Sequence, residues 1–169
     1  MIKTLTIPII TFFLLAICAQ NVRAEDFSHI KDLFALRENL SEQGSSLPNA
    51  IKKTSGKDLM TLERIFELNT SALTTIEAYF RLFKMALAAG TNMRAEDIKI
   101  INEWLEFINN QCKYDIEYLD AAMKETSDGA VHEQIASAKD NIERLSLIAE
   151  KGVKENSAIL TKNMSPAVE

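Results

Sequence analysis

Cysteine is nearly missing from this chain of 169 residues: Cys18 and Cys112 are the whole supply. Cys18 falls in an apolar leader expected to be removed, so Cys112 is left alone and no intrachain disulfide framework can form. Histidine is as scarce, with His29 and His132 only. A di-iron bundle needs Glu-x-x-His on two helices and further inward carboxylates. Asp26-x-x-His29 is one imperfect half of that set, and Gly129 stands where His132 would need an acid. Both histidines are therefore expected on the surface near helix starts. His132-Glu133 does not run on to a second histidine, which excludes the zinc-protease helix, and no Cys-x-x-Cys-His offers covalent haem attachment. Met60 or Met123 could join a histidine on non-covalent haem, but methionine more plainly fills core gaps. No metal or cofactor site is expected. A nucleophile–base pair and a phosphate loop are missing as well, so no enzymatic activity is expected. Basic clusters are absent too: Lys52, Lys53 and Lys57 form the densest group. A net charge of −5 disfavours nucleic acid as a partner.

The first residues are of a different kind. Lys3 precedes an uncharged, mostly apolar stretch from Leu5 to Ala19, and Val22-Arg23-Ala24 offers a cleavage site. Residues 1–24 thus read as a secretory signal peptide, too short and too interrupted by Pro8 to span a membrane. Ile17 before Cys18 argues against lipoprotein processing. Removing Lys3 and Arg23 takes the net charge from −5 to −7 over residues 25–169, since no acid is lost. That product is expected in the periplasm or outside the cell, with no membrane attachment after cleavage.

Residues 25–169 read as one all-α domain, an antiparallel up-down bundle of one shorter helix and three long ones. The strongest pattern is Leu59, Leu62, Phe66, Asn69, Leu73, Ile76, Phe80, Phe83, Leu87. Its alternating three- and four-residue steps are the a/d seam of a coiled coil, broken by one polar residue, Asn69. A first helix is expected from Asp26 to about Gln43, stopped by Gly44-Ser45-Ser46, with a short turn at Pro48. Ser55 to Asp58 resembles a capping box that opens the second helix, Asp58 to Ala89, ended by Gly90. The third runs from about Met93 to Glu125 on the seam Ile98, Ile101, Leu105, Ile108, Cys112, Asp115, Leu119, Ala122. A tight turn at Gly90 would fold these two into a hairpin in which Phe83 meets Ile98, Phe80 meets Ile101 and Leu62 meets Leu119. The same register sets Asn69 against Cys112 and Phe66 against Asp115. Ser127 or Asp128 caps the fourth helix, about Ala130 to Lys162. Gly152 weakens its seam, so the turns beyond it are expected to fray. Acid-to-base pairs four residues apart, such as Glu77 with Arg81 and Asp120 with Lys124, should decorate the exposed faces.

Two groups stand out as candidates. Asn69, Cys112 and Asp115 would form one buried polar layer that fixes register, with the thiol inert and the Asp115 pKa raised by burial. A second stripe on the third helix, Trp104, Phe107, Gln111, Tyr114, Tyr118, repeats the three-four spacing. Trp104 and Phe107 are expected to pack on a neighbouring helix. Tyr114 and Tyr118, expected level with the weak end of the fourth helix, are the candidate partner-binding residues, because aromatics dominate interface energetics. The reading is an exported, non-enzymatic interaction protein (an inhibitor, adaptor or chaperone-like bundle) with an unidentified protein partner. The alternative is a periplasmic carrier holding a ligand or cofactor in the bundle core.

Overall fold

The computed structural model describes residues 27–88 and 95–164. Among these the chain forms four α-helices and no strand: α1 Ser28–Ile51, α2 Gly56–Ala88, α3 Ala95–Glu125 and α4 Gly129–Met164. The expected signal peptide and the Gly90 turn lie outside the described residues. Among the described residues no helix is long and apolar enough to cross a membrane.

Contacts between side chains fix the directions. Phe27 packs on Phe83 and Phe34 stacks on Phe80, so α1 and α2 are antiparallel. Lys57 meets Glu125 and Arg64 lies over Tyr118, which sets α3 antiparallel to α2 near the expected hairpin register. Asn102 meets Asn156 and Asp120 meets Lys139, which reverses α4 against α3. Asp32 meets Lys151 and Gln43 meets Asn141, so α4 closes the ring against α1. The result is the up-down bundle that the heptad pattern implies. Its packing is uneven: α3 and α4 are the most closely packed pair, and α2 sits loosely on α3.

The first helix does not stop at Gly44. It continues unbroken to Ile51 with Pro48 inside it. Leu33, Leu36, Leu40, Gln43 and Leu47 are all buried, and that stripe carries the helix past its local breakers. Ser45 and Ser46 comply by donating their hydroxyls to the carbonyls of Glu42 and Gln43. Gly44 has a packing role. A Cβ built there would lie 2.8 Å from Asn69 Nδ2, so its bareness lets α2 come close to α1.

The seam of α2 is turned from the expected one. Leu62, Asn69, Ile76 and Phe83 are buried as expected, but the second column is Ile65, Ala72, Tyr79 and Ala86. Phe66 is 39% exposed, Leu73 and Phe80 are half-buried, and the side chain of Leu87 lies outside the described set. The cause is a second neighbour. Phe80 is taken by the Phe34 stack on α1, so the helix rotates to point its other column at the core. The seams of α3 and α4 follow the sequence more closely. Ile98, Ile101, Leu105, Ile108, Cys112 and Leu119 are buried on α3. Asp128 Oδ1 accepts the amides of Ala130 and Val131, which makes it the cap of α4. Asp58, expected in a capping box, instead accepts the hydroxyl of Thr126. Expected surface pairs are redirected between helices: Glu77 goes to Arg37 and Asp120 to Lys139.

Candidate functional site

Two regions carry chemistry. The first is the face between α2 and α3, where the sequence places its candidates. Tyr114 is 68% exposed and Tyr118 38% exposed, and Phe107, expected to pack inward, is 57% exposed. Trp104 is half-buried beside Phe107, with ring centroids 5.9 Å apart, and its Nε1 is buried with no partner among the described residues. The aromatic stripe is thus a ridge whose inner edge touches the core and whose crest is in water. Beside it runs a groove with a cavity of about 30 Å3, lined on α2 by Leu68, Ser71, Ala72 and Thr75 and on α3 by Phe107, Gln111, Cys112 and Asp115. That space suits about one water molecule.

The expected polar layer divides. Asn69 is buried but faces α1, donating from Nδ2 to the Leu40 carbonyl at 2.8 Å, and its Oδ1 has no partner among the described residues. Cys112 is buried, and burial, helped by the charge of Asp115, pushes its thiol up to about 12. The thiol is therefore neutral and a poor nucleophile. Asp115 is half-exposed at the groove wall. Burial raises its carboxyl above the usual range, and a 3.4 Å hydrogen bond from Gln111 and the nearby Arg64 oppose the rise. Phe66 does not face Asp115. Nor do Tyr114 and Tyr118 lie beside the last turns of α4, which pack instead on the start of α1.

There the second region is found, and the sequence reading misses it. His29, expected on the surface, is fully buried, while His132 is exposed as expected. His29 Nδ1 lies 2.5 Å from Glu155 Oε2, and His29 Nε2 lies 2.8 Å from the hydroxyl of the fully buried Tyr79. Ser28 Oγ donates to Glu155 Oε1 at 2.5 Å, and the His29 amide donates to Oε2 at 3.1 Å. Burial pushes the Glu155 carboxyl up, but the hydrogen bonds from Ser28 and His29 outweigh it, so it titrates below its ordinary 4.5 and is ionised. An ionised carboxylate only accepts, so the imidazole proton is on Nδ1. Nε2 then accepts from the Tyr79 hydroxyl, which in turn is hydrogen-bonded by Asn156. Asn156 Nδ2 donates onward to Asn102 Oδ1 at 2.9 Å. Burial is the main influence on His29 and lowers its pKa below 6.5, against the pull of Glu155; Lys151 lowers it further and Asp32 opposes. Burial also raises the Tyr79 phenol well above its ordinary value.

Gly152 makes this arrangement possible. A Cβ there would stand 2.8 Å from Leu105 Cδ1 and 3.0 Å from the His29 ring. At the glycine α4 comes close to both α1 and α3, and the expected fraying does not occur: α4 runs on to Met164. The chain of partners spans all four helices and is polar, but its ring atoms are sealed. Glu155, His29 and Tyr79 have the order of a catalytic relay, yet His29 and Tyr79 have no exposed surface through which a substrate could be reached. Its chemistry is that of a satisfied buried network that ties helix ends together. Tyr79 is the neighbour in sequence of Phe80, which the three-four spacing places on the seam, and Asn156 lies one turn beyond Gly152. The signal that joins them is level: in the up-down register His29, Tyr79, Asn102 and Asn156 are polar residues at one height of the bundle.

A third feature is an open polar cleft between α1 and α4, with Glu42, Gln43, Ser46, Gln134, Asp140 and Asn141 in its walls. Within it Asn141 Nδ2 donates to Gln43 Oε1 at 3.0 Å, a buried pair that locks the two helices in register. Among the described residues no group of three His, Cys, Asp or Glu side chains is placed to hold a metal ion. Compared with protein-family models, with curated proteins and with solved structures, the chain matches none.

Proposed function

We propose that the chain is an exported, non-enzymatic interaction protein of the periplasm or the extracellular space, acting as an inhibitor, adaptor or chaperone-like bundle on a protein partner. The observation that carries this reading is the aromatic ridge of α3, with Phe107, Tyr114 and Tyr118 held in water on a rigid helix. Large aromatics on a preorganised surface supply most of the binding energy of typical interfaces. The apolar leader of residues 1–24 supports export. The alternative, a carrier in the bundle core, finds less support. The cavity beside Cys112 is about 30 Å3, against the several hundred that ligand sites usually need, and the roomier cleft of about 400 Å3 between α1 and α4 is an open polar surface outside the core.

The test is a capture experiment from the secreted or periplasmic fraction with residues 25–169 as bait, followed by affinity measurement on the partner returned. Tyr114→Ala with Tyr118→Ala should weaken binding by about 2 kcal/mol or more. Unchanged affinity would remove the ridge from the interface. A bait that returns no partner and is purified with a bound chromophore, metal or small molecule would replace this reading with the carrier. Mass spectrometry of the purified protein should find Glu25 at its start, and retained Met1 in a membrane fraction would overturn export.

A further inference from the structure

The face between α2 and α3 collects most of the large apolar side chains that the described residues leave in water. Met60, Met85, Ile100, Phe107, Tyr114 and Tyr118 are between 38% and 70% exposed, and helical spacing puts all six on this face. Ile100, Phe107, Tyr114 and Tyr118 follow one stripe of α3. Met60, Ser71, Ala78 and Met85 share one line along α2, and Ser71 lines the groove. Phe66 and Leu147, also exposed, fall on other faces. Between the two apolar lines the α2 bank is made of small side chains, Ser71, Ala72 and Thr75, over a floor that includes Ile142 and Leu145 of α4. The shape is a channel with bulky, adaptable walls and a low floor. The α3 stripe from Ile100 to Tyr118 is about 27 Å long, the length of a helix of about 18 residues, and the groove itself occupies its middle, between Phe107 and Asp115.

Charge selects the occupant. Glu67 stands on the α2 rim, Glu103 on the α3 rim and Asp115 in the α3 wall. Two bases stand among them: Arg64 is engaged with Glu67 at 3.0 Å and with the Tyr118 ring, and Lys99 lies 3.8 Å from Glu103. Both pairs are exposed and exchangeable with a partner's cations, and one acid is left in excess. The whole chain is acidic, at −5. A second copy would bring the same acids against one another, which disfavours it. Helices that lay an apolar face into a groove, anchored by aromatic and methionine side chains, are a recurrent recognition mode.

We propose that this groove is the docking channel for a cationic amphipathic helix of a partner protein. Its apolar face lies along Phe107 and Tyr114, and its Lys or Arg flanks lie on Glu67, Glu103 and Asp115. The inference rests on the reading of the chain as an interaction protein and adds the class of partner.

The probes are three synthetic peptides of about 18 residues: an amphipathic helix of Leu and Lys, its Leu and Glu counterpart, and a scrambled Leu and Lys isomer without a continuous apolar face. Binding is read by anisotropy of labelled peptide and by the emission of Trp104, the one tryptophan of the chain. The Lys helix should bind about tenfold or more tighter than its scrambled isomer, weaken as salt is raised, and leave the Glu helix unbound. Phe107→Ala with Tyr114→Ala should weaken it about tenfold or more, whereas Phe66→Ala and Leu147→Ala should bind like wild type. Far-ultraviolet circular dichroism verifies that each variant keeps its helices. Equal binding of the scrambled isomer, equal binding of the Glu helix, or indifference to Phe107→Ala with Tyr114→Ala overturns the proposal. So does a concentration-dependent dimer abolished by that double variant, which would give the groove to a second copy. If the proposal fails and a captured protein partner binds the double variant as well as wild type, the interaction reading stands and the partner docks elsewhere.

Discussion

α3 has two seams, and they are built differently. Toward α4 it is closed by side-chain hydrogen bonds along its length: Asn102 with Asn156 at 2.9 Å, Asn109 with Ser146 at 2.5 Å and Asp120 with Lys139 at 2.6 Å. Toward α2 the contacts of Lys57, Asp58 and Arg64 gather at one end, and a groove walled by Ser71, Ala72 and Thr75 follows. The apolar stripes of the two seams are comparable, so hydrophobic pattern does not separate them. What separates them is polar groups that find partners across the seam and small residues placed where close approach is needed. The tight region continues through α4 to α1, where Gly152 lets the His29 network form. The contrast predicts that changes on the closed side destabilise strongly and changes on the open face are nearly silent.

The largest loss should come from His29→Ala. It deletes a ring with no exposed surface and leaves the Glu155 carboxylate and the Tyr79 hydroxyl each short of a partner. Cavity formation and orphaned polar groups together should cost about 3 kcal/mol or more, read as a shift in the urea midpoint. The open face supplies the comparison, since Tyr114→Ala should change stability by less than about 0.5 kcal/mol.

Gly152→Val comes next. The His29 ring is held at both nitrogens and Leu105 is buried in the core, so neither neighbour can retreat from a new branched side chain. Overpacking should destabilise by about 2 kcal/mol. Gly152→Ala should cost less but still destabilise, because its Cβ alone meets Leu105 Cδ1 at 2.8 Å and the His29 ring at 3.0 Å, while better helix propensity offsets up to about 1 kcal/mol of that crowding. Melting curves of the two variants side by side separate size from propensity. A stabilised Gly152→Val would show that the helices are farther apart than described.

Acid should also act on the closed side. Burial lowers His29 below 6.5 in the folded chain, so the unfolded chain takes up that proton first as pH falls. The stability contributed by neutral His29 is complete above about 6.5 and is lost progressively below it. Glu155 titrates below its ordinary 4.5 when folded, so it adds a further loss of the same sign under pH 4.5. Wild type should therefore have a lower urea midpoint at pH 5 than at pH 7.5, and His29→Gln should flatten that difference. A midpoint that rises on acidification would mean the imidazole is already charged when folded.

The sequence made the bundle legible because its strongest signal, hydrophobic spacing, is also what sets the helix count, the direction of the chain and most of the α3 and α4 core. It failed wherever one residue served two neighbours. Leu62, Asn69, Ile76 and Phe83 fit either of two adjacent columns of α2, and only the Phe34 stack of α1 decides between Phe80 and Tyr79. Gly44 and Gly152 read as breaks because a lone chain has no facing helix against which a missing Cβ matters. His29 read as a surface residue because its partners are far away in sequence, at Tyr79 and Glu155. The exposed tyrosines were legible for the opposite reason: the spacing of Tyr114 and Tyr118 sets them outside the main seam without help from any other helix.

Among the buried positions the smallest effect should be that of Asn69→Leu, and its sign discriminates best. As a residue facing Cys112 and Asp115, Asn69 would be a pure cost to stability, and leucine would raise the melting temperature. As it stands, Asn69 gives one hydrogen bond to the Leu40 carbonyl and leaves Oδ1 unsatisfied. The Leu40 carbonyl belongs to a continuous helix, so losing the Asn69 donor should cost about 1 kcal/mol or less. Removing the orphaned acceptor returns a similar amount, and leucine is close to asparagine in shape. The net change should lie within about 1 kcal/mol of zero, because Gly44 leaves room for the new methyl groups but for little more. Gly44→Ala in the wild-type background should then be worse than Asn69→Leu, since its Cβ meets Nδ2 at 2.8 Å. Equal melting temperatures for wild type and Asn69→Leu, with Gly44→Ala lowered, would locate the buried amide in the α1–α2 seam. A rise of several degrees for Asn69→Leu with Gly44→Ala silent would return it to the α2–α3 side and close the groove described there.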